Sequence, residues 1–401
     1  MIHSSLRARR TASLSAAGLT MALGLAACGG GGGNSTTSSS APPSASGGSN
    51  ASGAASGGSD GLAEAQKIVD TYRQPPKWQG PDAPVSIGKL KGKKIVYISV
   101  NDAIPVLHFW SSRLTALLQQ YGGITMDVVD AKGSVDTANK GFQQAFAQKA
   151  DAVIVQALPA SLFAAQIKQA KAAGIKVITA NTGVPGAVTG GQDAEVSFDY
   201  GQVGRLIGDW MVQDSKGKGQ GLVISSDDVP ASQAQVQGTL TEVKRLCPAC
   251  NMKTQDVQIP QWEASIPTLF TTTVNSDPQR KYLLPLYDGQ ALPGLGALRT
   301  QGASEKVAVG AFNATPGIVE QLKDPKSGLK LDIGGQNEWW AYAAADQVFR
   351  VLTGTTPVSN YHIGLRIFDA SNAALIQGKD EFAWYASQDY KTKFPGLWKA
   401  S

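Results

Sequence analysis

KKIVYISVNDAIPVLHFWSSRLTALLQQYGG, residues 93–123, carries the first half of a β-α-β unit. Its β-branched run Ile95-Val96-Tyr97-Ile98-Ser99-Val100 has the length and composition of a strand buried on both faces, and it stops at the polar pair Asn101-Asp102. From Phe109, the apolar positions Leu114, Leu117 and Leu118 fall at helical spacing, and Gly122-Gly123 ends the helix. Ligands of such sheets sit at the carboxyl ends of strands, and the loop here offers Asn101, Asp102, His108, Phe109 and Trp110. The two aromatic rings either face a small-molecule pocket or cover the helix N-terminus; this stretch alone leaves both open.

Alternation continues outward from that unit. Strands are expected at 125–129, 152–156 and 176–180, with helices at 136–148 and 161–173 between them. The pattern breaks in the Gly- and Pro-rich stretch 183–192, and a short strand at 195–198 follows. It restarts with helices at 201–212, 231–245, 264–274, 292–301 and 316–322, interleaved with strands at 222–225, 252–259, 282–286, 307–311 and 331–334. A last strong helix is expected at 339–352. Parallel neighbours need crossover connections, so the fold class is α/β: two doubly wound parallel-sheet lobes with a cleft between them.

Upstream, a basic start and an apolar run from Ala16 to Ala27, too short for an ordinary membrane span, read as an export signal over residues 1–27. Leu25-Ala26-Ala27-Cys28 resembles the bacterial lipoprotein signal, which implies that Cys28 is lipidated and anchors the chain to a membrane outside the cytoplasm. Residues 28–60 are mostly Gly, Ser, Ala, Thr and Asn, a flexible tether, and 61–92 form an entry segment with a short helix at 62–72.

The formal charge of +5 in 401 residues falls to about +2 once Arg7, Arg9 and Arg10 leave, which gives nucleic acid no electrostatic footing as a partner. Cys247 and Cys250 form a CxxC with no second Cys pair and only His108 and His362 beyond the leader; outside the cytoplasm a small structural disulfide is expected there, and no metal or cofactor.

The strand ends share one chemistry. Asn101 and Asp102, Gln156, Asn181 and Thr182, Asp227 and Asp228, Trp262, Tyr287 and Asp288, Asn313, and Gln336 to Trp340 supply amides, carboxylates and rings. Amides donate and accept, as paired hydroxyls require, and flat rings cover the apolar face of a sugar or another ring.

From about Lys93 to Ile367 the chain resembles the type I periplasmic solute-binding proteins of ABC importers, the ribose- and galactose-binding group. The resemblance rests on 94–100 with Phe109-Trp110, on Ala150-Asp151-Ala152-Val153-Ile154-Val155-Gln156 and on Ala173-Gly174-Ile175-Lys176-Val177-Ile178. It continues in Ser197-Phe198-Asp199 with Gly204 and Ile207-Gly208, and in Val309-Gly310-Ala311-Phe312-Asn313-Ala314-Thr315-Pro316. It implies a monomer that is not an enzyme and that passes a small molecule, with a sugar favoured, to an importer permease. It also implies rings at Phe109, Trp110 and Trp262, and hydrogen bonds from Asn101, Gln156, Asn181, Gln235, Asp288, Asn313 and Gln336. The implied lobes are 93–199 plus 337–355 and 200–336 plus 356–401, joined by three hinge strands near 198–201, 334–339 and 354–358.

The chain departs from the group at Asn181-Thr182, where an Asp-Arg pair is usual, at Gln235 in place of an Arg, and at Asn313 in place of an Asp. Fewer charged hydrogen bonds leave room for a larger sugar, a deoxy sugar or an aromatic or alicyclic acid, and more widely for an aromatic or alicyclic small molecule. The aromatic tail, with Phe382, Trp384, Tyr385, Tyr390, Phe394 and Trp398, is expected to pack on the second lobe or to bind a partner. Against catalysis, no local motif places a serine or cysteine nucleophile for His108, and Asp227, Asp228 and Asp288 serve equally as hydrogen-bond acceptors. A lipid-anchored sensor for a membrane receptor would need the same surfaces as a transport receptor.

Overall fold

The computed structural model describes residues 56–378 and 384–400, so the expected signal peptide, the lipidation site Cys28, the tether up to residue 55 and Phe382 lie outside the described residues. The tether's expected last residues are already helical, in α1 (Ser56–Tyr72).

The first lobe is a five-stranded, all-parallel sheet. Its strands are β2 (Lys94–Ser99), β3 (Thr125–Asp130), β4 (Ala152–Gln156), β5 (Lys176–Ala180) and β6 (Ala194–Val196), in the order β3-β2-β4-β5-β6. Helices α2 (Pro105–Leu117), α3 (Val135–Gln148) and α4 (Ala164–Ala172) make the crossovers. β2, β4 and β5 are buried along nearly their whole length, as continuous β-branched runs require when helices cover both faces. α2 starts four residues before the expected Phe109, because Pro105 fits the first helical turn, where its missing N–H costs nothing.

The second lobe repeats the plan with α5 (Tyr200–Asp214), β7 (Gln220–Ser225), α6 (Pro230–Leu246), β8 (Asn251–Asp256), α7 (Trp262–Ser276), β9 (Tyr282–Pro285), α8 (Asp288–Thr300), β10 (Ala308–Phe312) and β11 (Leu329–Gly335). Its six-stranded sheet has the order β12-β11-β10-β9-β7-β8, with β12 (Leu365–Asp369) antiparallel at the edge. α5 and α6 cross closely: a Cβ on Gly204 would lie 2.0 Å from the carbonyl oxygen of Gln235, and one on Gly238 would lie 2.3 Å from that of Gly201. Only glycine admits this contact. Cys247 and Cys250 are disulfide-bonded just beyond α6, with Cα atoms 5.3 Å apart.

The chain passes between lobes after β6, after β11 and again after α9 (Asn337–Thr353), which packs beside α2 in the first lobe. Two further passes join these. α1 lies on α5 and α6 of the second lobe, and the chain then runs to β1 (Val85–Ser86), which pairs in parallel with β13 (Trp398–Lys399) next to α9. Trp78 on this segment stacks on Trp339 of α9 with ring centroids 5.1 Å apart. The C-terminal tail divides between the lobes instead of packing on the second alone. The Tyr385 hydroxyl donates to the Gly335 carbonyl at 2.9 Å. Tyr390 and Phe394 of α10 (Tyr390–Leu397) meet Trp339 and Tyr342, and the Trp398 indole donates to Asp346 at 2.8 Å.

Two expectations fail locally. The helix at 316–322 is only a 3-10 turn, Val319–Lys323, since Ala314 (φ 48°) and Gly317 (φ 89°) hold the entry in left-handed backbone. β12 escaped notice because Arg366 interrupts its apolar run; in place its guanidinium donates to the carbonyls of Arg73 and Trp384. Among the described residues, no helix is long and apolar enough to cross a membrane.

Candidate functional site

In the first sheet the strand order reverses at β2, so the crossovers from β2 and β4 leave on opposite sides and open a crevice between their carboxyl ends. The second sheet repeats this at β7 and β9. A cavity of about 50 Å³ lies where the two crevices meet. Val100 follows β2 and Ala157 follows β4; Val229 and Ala231 flank the start of α6; Tyr287 and Gly289 flank the start of α8, and all six line it. Ile104, Val106, Leu107 and Trp110 close it from the loop and first turns of α2, and Tyr200, Ile259 and Trp262 close it from the second lobe.

The two tryptophans are fixed from behind. Trp110 packs against Phe198 and Trp340 and donates its indole N–H to Asn337 Oδ1 at 3.0 Å. Trp262 lies face to face with Tyr287, centroids 6.1 Å apart, and donates to Ser226 Oγ at 2.8 Å and to the Val257 carbonyl at 3.0 Å. Both rings therefore present carbon faces to the cavity while their only donors are used elsewhere.

The polar side chains on the wall are the carboxamides of Asn181 and Asn313 and the tyrosine hydroxyls of Tyr200 and Tyr287; no charged residue lines it. The Tyr287 hydroxyl pairs with Ser232 Oγ at 3.2 Å. Asn181 is 1 % exposed, and neither its Oδ1 nor its Nδ2 has a partner. Both asparagines sit in left-handed backbone, Asn181 at φ 57° after β5 and Asn313 at φ 133° after β10.

Buried acids hold these turns. Glu195 Oε1 accepts the N–H of Thr182 at 3.0 Å, and burial raises its carboxyl to about 7. On the other lobe Asp288 accepts the N–H of Thr315 at 2.6 Å and Asp332 that of Ala314 at 2.9 Å. Burial, first of all, raises Asp288 to about 7, and burial together with the neighbouring Asp288 charge raises Asp332 well above the carboxylate range.

Of the residues singled out in the sequence, Trp110, Asn181, Trp262 and Asn313 come together on the cavity wall. The others stand behind or beside it. Asn101 caps its own loop, accepting from the Ala103 N–H at 3.2 Å, and Phe109 is half-buried against the core. Gln156 accepts from Ser99 Oγ at 3.2 Å, Gln235 donates to the Leu286 carbonyl at 2.8 Å, and Gln336 donates to the Ser387 carbonyl at 2.7 Å. Asp288 faces Asp332 and the Thr315 amide instead of the wall. His108 Nδ1 pairs with Asp102 at 2.8 Å, and the same carboxylate accepts from Ser111 Oγ at 2.8 Å, so the imidazole and the serine hydroxyl both turn to Asp102 and not to each other. Among the described residues no cluster of three His, Cys, Asp or Glu side chains is placed to hold a metal ion. The apolar wall has no local sequence signal, since its residues come from many separate elements; the acids behind the turns have one, an acid inside an otherwise apolar strand, as Glu195 is in β6 and Asp332 in β11.

The family model for the periplasmic binding protein domain matches residues 92–356. No curated protein matches the sequence. Among solved structures, the 5-methylthioribose transporter solute-binding protein of Thermotoga lettingae superimposes with a TM-score of 0.67 at 14% identity, covering 79% of this chain and 99% of its own. An ABC sugar transporter subunit from Rhodobacter sphaeroides 2.4.1 gives 0.64 at 20%, covering 71% and 100%. An ABC transporter solute-binding protein from Agrobacterium vitis with bound allitol gives 0.63 at 19%, covering 71% and 98%.

Proposed function

Because the chain belongs to the periplasmic binding protein domain family, whose members bind solutes outside the cytoplasm and are not enzymes, we propose that it is the lipid-anchored substrate-binding protein of an ABC importer. Acting as a monomer tethered through Cys28, it captures one small uncharged molecule between its lobes and presents the closed form to the permease. The observation that carries this reading is the position of the cavity, formed jointly by the strand ends of both lobes, so that a ligand touching Trp110 and Asn181 on one side and Trp262 and Asn313 on the other favours closure over the open state.

The neighbours' bound ligands, allitol and 5-methylthioribose, support a sugar or polyol. The wall favours the second reading, an aromatic or alicyclic molecule, because rings and branched aliphatic side chains make up most of it. The test is titration of the protein with pentoses, hexoses, polyols and small cyclic compounds, followed by tryptophan fluorescence, since Trp110 and Trp262 both line the cleft. Ligand binding that changes the fluorescence, and that weakens in Trp262→Ala and Asn313→Ala without loss of folding, supports capture in this cleft; unchanged affinity in both variants would remove it.

A further inference from the structure

Asn181 lines the cavity, is 1 % exposed, and leaves both its carbonyl oxygen and its amide nitrogen without a partner. A buried amide in that state costs free energy until something pairs with it. One carboxamide sets an acceptor beside a donor, so the group that satisfies both atoms carries a donor beside an acceptor on one edge, as a cyclic amide or a pair of neighbouring hydroxyls does; the rest of the wall separates the two. No Lys, Arg or His lines the cavity to compensate an anion, and the Asn181 oxygen would repel a carboxylate.

A sugar ring is served poorly by the rest of the wall. Hydroxyls around its whole perimeter each need a partner when buried, yet three of the polar groups around the cavity are already paired. The Trp110 indole is bound to Asn337, the Trp262 indole to Ser226 and Val257, and the Tyr287 hydroxyl to Ser232. What remains are the Tyr200 hydroxyl, the Asn313 carboxamide and the flat faces of Trp110 on one lobe and of Trp262, backed by Tyr287, on the other, too few polar groups for a full ring of hydroxyls.

Resting on the capture of a solute in this cleft, we propose that the solute is an uncharged single ring with an apolar body and one donor-acceptor edge, the edge of a cyclic amide, which Asn181 reads in a two-point contact. The body packs against the two tryptophans, and Asn313 meets the ring's other side.

The test uses the full chain and calorimetric titration with 2-piperidone, 2-pyridone and uracil, alongside galactose, ribitol and cyclohexanecarboxylate, with tryptophan fluorescence read on the same samples. Expected is saturable binding of at least one cyclic amide, tighter than the sugar, the polyol and the carboxylate, and weakened about tenfold or more in Asn181→Ala. Asn181→Gly, which tolerates the left-handed backbone, should weaken it equally and keep its melting temperature as evidence of folding. Failure of every cyclic amide to bind at millimolar concentration overturns the proposal, as does tighter binding of galactose, ribitol or the carboxylate. If such a tighter ligand changes the fluorescence and weakens in Trp262→Ala, capture in the cleft stands and only the class falls. If any ligand binds with neither effect, the cleft reading itself falls with it.

Discussion

Asn181 and Asn313 face the same cavity from opposite lobes in the same unusual way: each occupies left-handed backbone directly after a parallel strand, and the next turn is held from behind by a buried acid. Non-glycine residues hold such backbone only where surrounding contacts over-determine it. Here the contacts come from Glu195 on the first lobe and from Asp288 with Asp332 on the second.

These acids make stability depend on pH. Glu195 and Asp288 are raised to about 7, and Asp332 is raised further. The unfolded chain gives up these protons near about 4. The folded state therefore gains most from them below about pH 4 and loses that gain as pH climbs to about 7, where the buried acids ionise. Asp288 and Asp332 titrate as a pair, with Glu320 as the further acid acting on Asp332; Glu195 acts electrostatically on Tyr200. The melting temperature should be lower at pH 8 than at pH 5 by about 3 °C or more. Asp332→Asn keeps an acceptor for the Ala314 N–H and adds a donor toward Asp288, so it should flatten this slope; an unaltered slope would count against the pair as its source.

Trp78 ties the segment before the first sheet to the helix that returns from the second lobe, through its stack on Trp339 and its edge contact with Phe394 at 5.1 Å. Trp78→Ala should cost about 2 kcal/mol, below the range for fully buried tryptophans because the ring is only half-buried. The midpoint of urea unfolding measures this. The same two extra passes between lobes should restrain opening, so small-angle scattering should find a larger radius of gyration for unliganded Trp78→Ala than for unliganded parent.

Gly204→Ala tests the α5–α6 crossing. A methyl group 2.0 Å from the Gln235 carbonyl meets backbone that cannot turn aside, so the helices must separate. A loss of about 2 kcal/mol or more is expected from thermal unfolding. A change at exposed Gly296, where nothing lies within 4 Å of an added Cβ, should cost far less.

Membrane attachment is tested at Cys28. Cys28→Ser should move the protein from the membrane to the soluble envelope fraction and abolish incorporation of labelled fatty acid, while ligand affinity stays the same. Retention of the variant on the membrane would point to an anchor other than this cysteine.

The alternation of buried strands and helices was legible because burial on both faces writes continuous apolar runs such as Ile95–Val100 and Ala152–Val155, and because a parallel sheet admits no shorter connection. The strand ends of the cleft followed from the same rule, and with them Trp110, Asn181, Trp262 and Asn313. Local sequence does not contain the direction a side chain takes at a strand end, since neighbouring strands contributed from distant positions decide whether it meets the cavity or the floor beneath. That is why Gln156, Gln235 and Asp288 turned to Ser99, Leu286 and Thr315, and why an apolar wall drawn from so many separate elements became visible only in the folded chain. The pairing of β1 with β13 was hidden for the same reason: the two, 312 residues apart between Ser86 and Trp398, acquire a partner only when α9 brings both to one place.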